Sequence, residues 1–199
     1  MGVTRIRVTA QKMPSRQRLC RILLPLYLAA IYASLGSVRG ITNWLRDNSL
    51  LRLTVAVLFG VAAVAIVAAF ARTAALRNLR SLGVLLVCAA GYALIIWPME
   101  SIEEKIHFLE YGLVAWLALE AAPLAWGPVV RFVAVALLVG AAGWLDEGIQ
   151  GLLPTRHYDL RDVAFNAAAG VMALTTLSLL RWTAKPAAGS PAPLRPSAR

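Results

Sequence analysis

Nothing limits what this chain can fold into more than its apolar runs. Leu53 to Ala71 contains no charged residue, and further predominantly apolar runs cover Ile22–Val38, Leu82–Trp97, Ile106–Trp126, Val129–Leu145 and Val163–Leu180. A bilayer's hydrocarbon layer is about 30 Å thick, which takes about 20 residues of helix to cross. The runs lack the helical or alternating period that marks a half-buried element of a soluble domain. With 59% hydrophobic and 15% charged residues in 199, the composition also excludes a soluble globular fold. The expected architecture is an all-α, polytopic membrane bundle of about six transmembrane helices. Residues 1–21 form a basic N-terminal segment, 22–182 the bundle, and 183–199 a tail rich in Pro, Ala and Ser that is expected to be disordered.

The net charge of +10 does not point to nucleic acid, because the basic residues sit at the ends of the apolar runs. Six spans put both termini on one side. That side carries fourteen Lys and Arg against six on the other, which predicts cytoplasmic termini. Trp44, Trp97, Trp126, Trp144 and Trp182 all fall at span ends, where an aromatic belt places them. A basic start followed by an apolar run also has the form of a signal peptide, with Ser34-Leu35-Gly36 as a weak cleavage site. The further runs downstream favour an uncleaved first span. Gly40–Arg52 reads either as a loop or as a helix lying in the interface. Cys20 and Cys88, far apart in sequence, form neither a disulfide framework nor a metal knuckle.

Most acids fall at the other, outer ends of the spans, and helix polarity separates them. Asp159 and Asp162 open the sixth span, where a carboxylate caps a helix and meets the positive end of its dipole. Glu103 and Glu104 open the fourth with the same advantage. Asp146 and Glu147 instead close the fifth span, where the dipole opposes them and where the helix is expected to continue to Leu153, just before Pro154. This pair needs donors, and Lys105, His107, Arg156, His157 and Arg161 are the candidates. Glu103, His107 and Tyr111 share a helix face with Glu110 beside them, Gln150 shares a face with Asp146 and Glu147, and Asp162, Asn166 and Gly170 form a stripe running into the membrane. Glu110 lies about two turns into the fourth span, where a carboxyl needs a cation or an amide nearby. The candidate binding set is therefore Glu103, His107, Glu110, Tyr111, Asp146, Glu147, Gln150, Arg156, Asp162 and Asn166. With two histidines and no His-x-x-x-His or His-Glu-x-x-His pattern, neither a metal nor another cofactor is expected.

As a set these residues resemble the VanZ-like family. The matching elements are Glu104-Lys105-Ile106-His107-Phe108 with Tyr111, then Asp146-Glu147-x-x-Gln150, Pro154-x-Arg156, and Asp162-x-x-x-Asn166 leading to Gly170. The likeness spans roughly residues 95 to 182, with Glu104 where Asp is commoner and a shorter gap between Lys105 and His107. It implies a multi-pass protein of the bacterial cytoplasmic (inner) membrane, connected with low-level resistance to the glycopeptide teicoplanin, with no established reaction. Three functions stand open. An outer polar site binds a lipid head group, a lipid-linked cell-wall precursor or a glycopeptide. Alternatively, the chain is an intramembrane enzyme on a lipid-linked head group, with Glu147 or Asp162 as base and Arg156 on phosphate. Or it is an accessory subunit or homo-oligomer in which the polar cluster is a structural clasp.

Overall fold

The computed structural model describes residues 14–71, 78–99, 102–154 and 156–183. The first part of the basic segment, the arginines at 72 and 77, the side chain of Glu103 and the tail from 184 lie outside the described residues. All six elements are helices: α1 (Ser15–Asp47), α2 (Leu51–Ala71), α3 (Leu79–Ile96), α4 (Ile102–Ala121), α5 (Pro128–Gln150) and α6 (Leu160–Thr183). Five of them, all but α4, are long and apolar enough to cross a bilayer. The chain is thus an all-α, multi-pass membrane bundle.

The helix that fails that apolar criterion is the one the others surround. α4 packs against α6, α1 and α5, and from Glu104 to Ala121 only Leu113 is exposed. Its charged residues would be costly against lipid tails, and helices on three sides keep them from it. α2 is the opposite case: apolar all round, exposed almost everywhere and packed only lightly against α1 and α4. Hydropathy alone does not hold helices together in lipid, because tails are as apolar as leucine. Close packing does. Ala142, Ala169 and Ala173 are buried where α5 meets α6. Gly170 is required there, since a Cβ on it would stand 2.4 Å from Cγ1 of Val139.

Helix ends differ from the sequence expectation in several places; α4, for one, ends at Ala121 rather than running on to Trp126. α1 begins at Ser15, inside the segment expected to be polar, because Gln17 and Cys20 are buried against the bundle. Residues 40–47 are neither a loop nor a separate interfacial helix but the last turns of α1. That helix ends in a turn where Leu50 N–H donates to Leu45 O and Ser49 N–H to Arg46 O, with Ser49 at φ 59°. This pair of bonds satisfies the last carbonyls of the helix. α5 stops at Gln150 rather than Leu153. The chain then tightens into turns, with Leu152 N–H on Ile149 O and Leu153 N–H on Gln150 O.

Contacts between elements fix the alternation of direction. Gln17 and Arg21 near the start of α1 meet the end of α4, and Asn78 and Ser81 at the start of α3 meet Thr183 at the end of α6. Arg131 near the start of α5 also reaches the end of α4. This end of the bundle is basic. The opposite end gathers the start of α4, the end of α5 and the start of α6, and with them most of the acids.

Candidate functional site

At the acidic end three helices converge on groups that have left water. Tyr111, Asp146, Glu147 and Asn166 are each 0% exposed, and Gln150 2%. Their spacing explains the meeting: Asp146, Glu147 and Gln150 lie within one turn of α5, and His107 and Tyr111 lie one turn apart on α4. Tyr111 donates its hydroxyl to Asp146 Oδ2 at 2.9 Å, and His107 Nδ1 stands 3.6 Å from the same oxygen. Gln150 Nε2 donates to Glu147 Oε1 at 3.0 Å and to Asp146 Oδ1 at 3.3 Å. Glu147 Oε2 accepts the backbone N–H of Asp159 at 3.3 Å, which ties the end of α5 to the start of α6.

Asp159 also caps α6, accepting Arg161 N–H at 2.8 Å, as the sequence predicts. Asp162 lies half-buried in the first turn of that helix, one turn before Asn166. Asn166 is packed so tightly on α5 that a Cβ on Gly143 would come within 2.7 Å of its own Cβ. Neither its amide nitrogen nor its amide oxygen has a hydrogen-bond partner. Buried amides are ordinarily satisfied, so this one marks an unmet demand.

Of the partners expected for Asp146 and Glu147, His107 stands beside Asp146, while Arg156 and Arg161 lie within electrostatic reach of Asp162. Among the described residues neither Asp146 nor Glu147 is in ion-pair contact with a lysine or arginine; His107 is the one basic side chain beside Asp146. Arg161 lies over the Phe165 ring at 5.8 Å, and His157 is exposed. Arg156 turns toward α4 and lines a small cavity with His107 and Glu110. Glu110 has His107 at 3.5 Å, so that imidazole stands between a cavity-lining carboxyl and a wholly buried one.

The first helix also takes part, which the reading of the sequence missed. Tyr32 donates its hydroxyl to Ala142 O at 3.0 Å, the same carbonyl that Tyr111 reaches at 3.2 Å. Ser34 lines the cavity. The available signal was a tyrosine and a serine in mid-span, whose hydroxyls must find partners away from water.

Chemically the site offers acceptors in excess of positive charge. Among the described residues no group of three or more His, Cys, Asp and Glu side chains is placed to hold a metal ion. The arrangement suits a ligand that donates hydrogen bonds, or a proton shared among the acids. No protein-family model matches the chain, and searches of curated proteins and of solved structures find no similar protein.

Proposed function

We propose that the chain is a VanZ-like integral membrane protein of the bacterial cell envelope. Its acidic end, on the extracytoplasmic side, binds the head group of a lipid or lipid-linked cell-wall precursor and thereby alters susceptibility to teicoplanin. One observation carries the reading. Asp146, Glu147 and Asn166 are wholly buried, yet among the described residues the acids have no lysine or arginine in ion-pair contact and the amide has no hydrogen-bond partner. A cluster that served only to fasten helices would close its own hydrogen bonds, because a half-satisfied buried network costs more than an apolar contact. The excess carboxylates at the outer rim, fourteen basic residues predicted on the other side and the motif set from Glu104 to Gly170 all agree with this reading.

The test is a susceptibility assay in a bacterial host lacking the chain. Glu147→Gln and Arg156→Ala are expected to leave the protein abundant in membranes while removing at least fourfold of any change in the inhibitory concentration of teicoplanin that the wild type confers. Variants that keep the full effect reject the reading and leave a structural clasp.

A further inference from the structure

The cavity at the acidic end is small and is lined by both apolar and polar side chains. α1 and α4 give it apolar walls from Ile31, Leu35 and Ile106. Its polar groups are Ser34, Glu110, His107 and Arg156. It opens a volume of about 30 Å³ to the centre of a water-sized group, room for one or two such groups.

The polar groups have capacity to spare. Ser34 donates its proton to Ile31 O at 2.7 Å, which leaves its oxygen as an acceptor. Glu110 has one ion-pair contact among the described residues, with His107, which Asp146 shares. Arg156 Nε is buried and has no hydrogen-bond partner. The cavity therefore offers acceptors at Glu110 and Ser34 and an unpartnered donor at Arg156 Nε. A bare anion would be left facing the Glu110 carboxylate, and a bare cation would leave Arg156 Nε without an acceptor.

We propose that the cavity receives the primary ammonium of a head group whose phosphate rests on Arg156: a phosphate ester bearing a primary amine, as in an ethanolamine phospholipid. An ammonium brings three donors and no acceptor, and Glu110 and Ser34 supply acceptors. Its size is that of a water molecule. A trimethylammonium has no N–H to give and is too wide for the space. A guanidinium takes two phosphate oxygens at once. The apolar walls favour a lipid over the free ester. This deepens the head-group reading above and rests on it.

The experiment uses the full chain purified in mild detergent, stripped of lipid and titrated with phosphatidylethanolamine, phosphatidylcholine or phosphatidylglycerol in mixed micelles. Native mass spectrometry and thermal shift are the readouts. The ethanolamine lipid is expected to bind at least tenfold more tightly than either other lipid. Glu110→Gln should reduce it to the level of the choline lipid, and Arg156→Gln should weaken all three. Ser34→Leu, which fills the cavity and changes no charge, should act as Glu110→Gln does and covers the case in which that variant does not fold. Free O-phosphoethanolamine competing as well as the lipid would assign the site to the soluble ester; weak competition would assign it to the lipid, and either supports the ammonium. Equal affinity of wild type for ethanolamine and choline lipids, or a Glu110→Gln protein that keeps the preference, overturns this inference and leaves a head-group site standing. Binding of no lipid overturns both.

Discussion

α4 carries Glu110 in its first half and Glu120 at its far end, and the two carboxylates have opposite surroundings. Glu120 is met by Arg16 at 3.3 Å from α1 and by Arg181 from α6. The carbonyls that α4 leaves open at its C-terminus are met as well. Gln17 donates to Ala122 O at 2.7 Å, Arg21 to Ala121 O at 2.9 Å, and Arg131 to Leu119 O at 2.5 Å. Cations are favourable at that pole of a helix, and these bonds join α1, through Gln17 and Arg21, and α5, through Arg131, to the central helix. Around Glu110 the balance is reversed: its one ion-pair contact among the described residues is His107, which Asp146 shares, while Arg156 and Arg161 lie within electrostatic reach of Asp162, and the buried Asn166 amide is left over. The basic end is fastened by cations from three helices, although Arg131 Nε is buried there without a hydrogen-bond partner among the described residues. The acidic end differs in its charge: among the described residues no lysine or arginine pairs with Asp146, Glu147 or Glu110, and both polar atoms of the Asn166 amide lack a partner.

Three substitutions break or sharpen that contrast. The largest effect is expected where the acidic cluster is held shut. Gly170→Val would drive a side chain into Val139 and should cost about 3 kcal/mol. Thermal unfolding in detergent reads this loss, and Val139→Ala in the same chain should restore part of it. Next, Glu147→Gln removes a buried charge that has no lysine or arginine, so the ligand-free protein should gain about 1 kcal/mol even as ligand-induced stabilisation disappears. Smallest, and opposite in sign, Glu120→Gln should lose roughly 0.5 kcal/mol, because its arginines are largely exposed and solvent screens them. If Glu147→Gln and Glu120→Gln both destabilise the ligand-free protein, the acidic end is as complete as the basic one and the contrast fails.

Much of this architecture was legible from local chemistry. The runs at Leu53–Ala71 and Leu82–Trp97 became α2 and α3 because a long apolar stretch has few alternatives in a bilayer. The three- and four-residue spacings placed Gln150 against Asp146 and Glu147, and Tyr111 beside His107, because helix geometry alone sets those distances. Partners across helices were harder. Arg161 was expected to serve Asp146 and Glu147, and instead it covers Phe165 and lies in electrostatic reach of Asp162; a long side chain at an exposed helix start has several neighbours in reach, and spacing does not choose among them. Tyr32 and Ser34 escaped notice because nothing in an apolar run says which helix it will lie against. The same limit hid the fastening of Gln17, Arg21 and Arg131 onto the end of α4.

The length of α1 has a consequence of its own. Thirty-three residues of helix extend about 50 Å, well beyond a hydrocarbon layer of about 30 Å. Its apolar span ends at Ser37, just past the residues that wall the cavity. The last ten residues therefore rise like a post from the rim of the site, with Ile41 and Trp44 bare on its flank. Ten residues of helix beyond the apolar span thus carry large apolar side chains, Ile41 and Trp44, past the level at which the cavity is walled.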